Sequence, residues 1–138
     1  MRETRPTILY VAHNPKSRRL LACVFTDCGF EVVVAADPAE ALEQFRKTSF
    51  NLALLEYHLP QISGPELARK LKEAHAGLPI VMISNCAVMP SVELLFVDAH
   101  FGSGTALDDL IATMRTLLRP SSVRAREPFL TGPWADST

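Results

Sequence analysis

Apolar residues along this chain follow two spacings that take turns, and each change of spacing marks a change of element. "TILYVA" (Thr7–Ala12) is an unbroken β-branched and aromatic run between Pro6 and "HNP", which predicts a buried strand. Asn14 then Pro15 supplies a side-chain cap and a proline suited to the first helical position. Leu20, Leu21, Val24 and Phe25 recur at helical spacing, and Gly29 closes that helix. "FEVVVAA" (Phe30–Ala36) predicts the second strand. Asp37-Pro38 repeats the cap-and-proline start, with Ala41, Leu42 and Phe45 as the inward stripe of the second helix.

"NLALLE" (Asn51–Glu56) is apolar on both faces, the pattern of a central parallel strand with helices on each side. Leu67, Ala68, Leu71 and Ala74 mark a third helix ending before Gly77, and "PIVMIS" (Pro79–Ser84) a fourth strand. The next segment predicts a short fourth helix near Pro90–Phe96 and a fifth strand within Val97–Gly102. Leu107, Leu110, Ile111, Met114 and Leu118 predict a fifth helix, opened by Thr105 and ended near Pro120. Strand and helix thus alternate five times. That implies an α/β fold, a doubly wound five-stranded parallel sheet with right-handed crossovers and helices on both faces. Residues 1–119 are expected to form this domain. Residues 120–138, rich in Pro, Ser and Gly, are expected to be a flexible tail in which Phe129, Leu130 and Trp134 are available for docking.

Composition narrows the function classes. With 138 residues, 48% hydrophobic and 21% charged, the chain suits one globular domain with a sizeable core. A net charge of -1 argues against a dedicated nucleic-acid binder. The absence of an apolar run near the roughly 18 residues needed for a span, or of a signal peptide, makes the cytoplasm the expected location, without membrane contact. Cys23, Cys28 and Cys86 have no metal-ligand spacing and read as buried or half-buried thiols. "ARKLKE" (Ala68–Glu73) reads as a solvated helix face with i,i+3 and i,i+4 charge neighbours. Arg115, Arg119, Arg124 and Arg126 read as an exposed, solvated helix end running into the tail.

In an open α/β sheet the functional crevice lies outside the carboxyl ends of the strands. Here those ends place Ala12 and His13 after the first strand, Glu56 after the third, Ser84 after the fourth and Gly102–Gly104 after the fifth. On these stretches, "ILYVAHNP", "GFEVVVAADPAEALEQF", "LALLEYHLPQISGPELARKL" and "LPIVMIS", residues 7–119 resemble the receiver domain of two-component response regulators. The resemblance implies a flavodoxin-like, receiver-type fold and a part in phosphorelay signalling. In that family an aspartate after the third strand accepts a phosphoryl group from a histidine kinase. Two acidic residues after the first strand hold magnesium, a Ser or Thr after the fourth senses the phosphate, and a lysine after the fifth pairs with it.

Carried over by position, the acceptor is Glu56, the acidic pair is Ala12 and His13, the hydroxyl is Ser84, and the lysine is lost near Ser103 in "FGSGT". Only Ser84 keeps its type, so the resemblance is to a degenerate, pseudo-receiver form. Magnesium wants octahedral oxygen ligands, and Ala12 offers none. A glutamate could form an acyl phosphate, but its extra methylene displaces the oxygens, and a misplacement near 1 Å is worth on the order of a hundredfold in rate. The expected function is therefore a stand-alone receiver without catalytic turnover, metal or cofactor, holding one signalling state through the fixed charge of Glu56. It is expected to act by contact with a histidine kinase or a downstream effector, with a homodimer also allowed. The surface runs from Met89 to Leu118, where "VELLFV" (Val92–Val97) is apolar enough to be partly exposed.

His13 has two readings: an imidazole paired with Glu56, replacing the metal with a protonatable cation, or a solvated loop histidine. His13, Glu56 and His58 together suggest a His₂-carboxylate metal site. Two further functions compete: a phosphoacceptor using Glu56 or a nearby histidine, and a small-ligand or metal-binding flavodoxin-like domain. Against the latter, "AHNPKS" lacks a Ser/Thr-rich phosphate loop.

Overall fold

The computed structural model describes residues 5–84, 91–102 and 106–119. Five parallel strands form one sheet: β1 (Thr7–Val11), β2 (Glu31–Ala35), β3 (Leu52–Glu56), β4 (Ile80–Ser84) and β5 (Ala99–Gly102), in the order β2-β1-β3-β4-β5. The first four residues of β3 are fully buried because both faces of the sheet are covered. On one face α2 (Pro38–Lys47) and α3 (Gly64–Ala74) bring Ala41, Leu67, Ala68 and Leu71 onto Leu9, Val11, Ala53, Leu55 and Met82. On the other, α1 (Pro15–Asp27) and α4 (Leu107–Leu117) bring Phe25, Leu110 and Met114 onto Ile8, Tyr10, Leu52, Leu54 and Val81.

The helix starts follow the capping chemistry. Asn14 accepts from the amides of Lys16 and Ser17, Asp37 from Glu40, and Ser63 from Glu66, each with proline in the first turn that follows. Gly29 takes φ 100° just past α1, a conformation glycine adopts without steric penalty. The last helix differs, since its N-cap is Ala106 and no side chain caps it. Thr105, the expected opening residue, lies outside the described residues.

Three expectations need correction. The predicted fourth helix is a 3₁₀ turn over Ser91–Leu94; Pro90, its expected start, lies outside the described residues. Leu20, on the expected inward stripe of α1, is 64% exposed, because Phe25 and the half-buried Leu21 and Val24 suffice to cover the sheet there. Cys23 is exposed and only Cys28 is half-buried, since Cys23 lies on the flank of α1 turned from the core. Cys86 and the tail lie outside the described residues.

Candidate functional site

Register decides what meets at the carboxyl edge of the sheet. Val11 pairs with Leu55 and Glu56 with Ile83, so Ala12 and His13, the end of β3 and Ser84 come together. The main chain there is fixed by bonds beyond the ladders. Ala12 N–H donates to the Ala35 carbonyl (3.1 Å), Tyr57 N–H to Ile83 (2.8 Å) and Gly64 N–H to Tyr57 (2.8 Å). Gly64 is demanded by close approach: a Cβ there would lie 2.3 Å from the Glu56 carbonyl oxygen and 2.8 Å from Met82 Sδ. The start of α3 can therefore press against the end of β3 only without a side chain.

The carboxylate of Glu56 is half-buried, and its Oε1 accepts the main-chain N–H of His13 (3.1 Å). Glu56 and His13 thus meet through the backbone; the imidazole forms no ion pair with the carboxylate, and His13 is exposed. Burial raises the Glu56 carboxyl above its ordinary value, opposed by the His13 N–H and by the positive charges of His13 and Arg18. Arg18 itself is spent on main chain: Nη1 donates to the carbonyls of Ala12 (2.9 Å) and His13 (3.2 Å). Beneath them Tyr10 is fully buried, with its hydroxyl unpaired among the described residues. Its phenol is raised, first by burial and then by the charge of Glu56.

Of the residues singled out in the sequence, Ala12 is buried and apolar, and Ser84 is 3% exposed at the end of β4. Ser103 lies outside the described residues. A cavity of about 260 Å³ opens here, lined in part by Asn14, Ser17, Glu56, Tyr57, His58 and Ser84. Glu56, His58 and Ser84 thus share one pocket. His13, Glu56 and His58 do not make a metal site, because among the described residues no three His, Cys, Asp or Glu side chains are grouped to hold an ion. Arg18 escaped the sequence reading. Its signal was position: an arginine in the first turns of the helix after β1 can reach back to that strand's last carbonyls.

A contact also missed runs from this pocket to the β4–β5 connection. Tyr57, next to Glu56, donates its hydroxyl to Glu93 Oε1 (2.7 Å) in the 3₁₀ turn. That turn presents Val92 (67% exposed), Leu95 (68%) and Phe96 (37%), while Leu94 and Val97 pack against the core. The expectation that "VELLFV" is partly exposed therefore holds. On α3 the expected i,i+4 neighbours Arg69 and Glu73 pair, Arg69 also pairs with Glu66 just before that stretch, and Lys72 reaches across to Asp98 (3.0 Å). Arg115 is not simply solvated: it donates to the Cys28 carbonyl (3.1 Å) and lies 5.6 Å from the centre of the Phe30 ring.

Residues 8–100 match the family model for the response regulator receiver domain. The transcriptional regulatory protein TrcR of Mycobacterium tuberculosis is 30% identical over 118 residues, 83% of this chain and 46% of that protein. The response regulator RR06 of Streptococcus pneumoniae is 27% identical over 81% of this chain and 52% of that protein. This chain therefore spans about half the length of these two relatives. Among solved structures, a CheY-like receiver domain protein from Methanospirillum hungatei superimposes with TM-score 0.79 at 27% identity, covering 83% of this chain and 94% of that one. The response regulator TrrA from Thermotoga maritima, solved in complex with Mg(2+)-BeF, gives TM-score 0.77 at 25% identity over 81% and 98% of the two chains. None of the described helices is long and apolar enough to cross a membrane. In pattern of elements, strand order and sequence alike, this chain belongs to the response regulator receiver domain family.

Proposed function

We propose that this receiver domain serves two-component signalling as a contact module whose acceptor position, Glu56, is a fixed charge and is not phosphorylated in the family's usual way. In this reading Ala12 and His13 stand where the family's acidic pair stands, Ser84 is the switch hydroxyl, and Ser103 marks the place of the lost lysine. One observation carries it: the Glu56 carboxylate is held by the main-chain amide of His13, and the loop beside it offers a buried methyl group in Ala12 and no carboxylate. The magnesium ion that the family implies is poorly served by this donor set, because Ala12 brings no side-chain oxygen and one oxygen of the single carboxylate is already engaged by the His13 N–H. Phosphoryl transfer depends on positioning and charge neutralisation, and both are weakened together.

Signalling then passes by contact with a histidine kinase or a downstream effector. The exposed Val92, Leu95 and Phe96, tied to the pocket through Tyr57 and Glu93, supply an apolar surface for such contact. The test is incubation of the full chain with acetyl phosphate and magnesium, followed by intact-mass spectrometry. No mass gain is expected; a magnesium-dependent gain of one phosphate overturns the reading.

A further inference from the structure

Among the described residues, Glu56 is a half-buried carboxylate without an ion pair. Ion pairs among the described residues involve Glu43, Glu66, Glu73 and Asp98, all elsewhere. One oxygen of Glu56 takes the His13 amide, and among the described residues the other has no partner. Of the two charged side chains that act on it, His13 forms no ion pair with it and Arg18 is turned to the carbonyls of Ala12 and His13. A half-buried carboxylate with one hydrogen bond and no counter-ion is under-satisfied, and it faces a cavity of about 260 Å³.

The chemistry of that cavity selects its occupant. One carboxylate balances one positive charge, so a divalent ion entering here leaves a net charge uncompensated. The other lining groups are the Ser17 and Ser84 hydroxyls, the Asn14 amide, the His58 imidazole and the walls of Tyr57 and Ile83, and none of them adds a second carboxylate. Asn14 is already engaged in capping α1, accepting from Lys16 and Ser17 at 2.9 and 3.1 Å. Guanidinium is more weakly hydrated than ammonium, so it loses less on entering a half-buried site. It is also planar and suits the two oxygens of a carboxylate, whose Oε1 retains a second acceptor direction.

We infer that the pocket at the ends of β1, β3 and β4 receives a guanidinium group, the tip of an arginine side chain presented by a partner protein, with Glu56 as its counter-ion. The inference rests on the reading of Glu56 as a fixed charge without resident magnesium, and it names what that charge recognises.

The experiment follows the His13 amide in nitrogen–proton correlation spectra of the full chain. Methylguanidinium, methylammonium and magnesium chlorides are titrated separately at constant ionic strength. Methylguanidinium is expected to give a saturable shift with a dissociation constant of order millimolar, and methylammonium a several-fold weaker one. Glu56→Gln keeps an acceptor for the His13 amide and removes the charge, and is expected to weaken methylguanidinium at least tenfold. Equal titrations of wild type and Glu56→Gln, or no saturable shift from any cation, overturn this inference and leave the proposed function standing. A saturable shift from magnesium alone overturns both.

Discussion

The main-chain N–H of His13 donates to Glu56 Oε1 across 3.1 Å, so the loop after β1 is tied to the last side chain of β3. A backbone donor cannot be titrated away. Within this hydrogen bond the proton that comes and goes is therefore the carboxylate's.

Burial raises the Glu56 carboxyl above its ordinary value of 4.5, so the folded state holds that proton more tightly than the unfolded chain does. Ionisation thus opposes folding. The penalty is absent below the unfolded value, grows as pH rises to the raised folded value, and stays constant above it. Glu56→Gln removes it. The variant is expected to melt above wild type at about pH 7.5, with the gap closing as pH falls toward about 4.5. Thermal scans across this range check it, and a gap that widens on acidification contradicts it.

Gly64→Ala places a methyl group 2.3 Å from the Glu56 carbonyl oxygen and 2.9 Å from the Tyr57 Cα, both main-chain atoms that cannot step aside cheaply. Overpacking of this kind is expected to destabilise the fold by on the order of 3 kcal/mol. Urea unfolding would register a lower midpoint at unchanged slope.

Asp98 Oδ2 accepts both the Ile80 amide (2.8 Å) and Lys72 Nζ (3.0 Å), joining the start of β4 to α3. Asp98→Ala leaves the Ile80 N–H without this acceptor and is expected to lose on the order of 2 kcal/mol. Lys72→Met removes only the partly exposed ion pair and is expected to lose less than about 1 kcal/mol. Denaturant titration of the two variants separates the contributions, and equal losses contradict the assignment.

Tyr57→Phe deletes the 2.7 Å bond to Glu93 and is expected to lose about 1 kcal/mol. The readout that distinguishes it is local. Hydrogen exchange should speed up at Val97, whose amide closes on Leu94 within the segment that Glu93 anchors (3.1 Å). By contrast Leu95→Ser, at a site 68% exposed, is expected to stay within about 0.5 kcal/mol of wild type while weakening any partner that uses this surface.

The architecture was legible because local signals agreed with one another. Asn14-Pro15, Asp37-Pro38 and Ser63-Gly64-Pro65 each combine a cap with a proline, and the doubly apolar β3 requires helices on both faces. The same reading placed Glu56, Ala12, His13 and Ser84 at one edge, since strand ends converge in a parallel sheet. It could not tell whether His13 meets Glu56 by ring or by backbone, because the two differ by a few ångströms of loop. Arg18 and the Tyr57–Glu93 bond were missed because each joins groups whose partners depend on that same loop geometry. The β4–β5 connection misled because its apolar residues have helical spacing, but Val92 and Leu95 face solvent, where a 3₁₀ turn serves as well.

The capping pattern has a consequence for how the molecule breathes. Three helices are latched at their N-termini by a side chain, whereas α4 has Ala106 as its N-cap with no such bond, and Leu107, Asp108 and Asp109 in its first turn are exposed. Opening of its first turn breaks no side-chain cap, so among the four described helices this N-terminus is expected to open at the least cost. A ligand that gripped that first turn would supply the missing restraint, stiffening the helix start without altering its average shape.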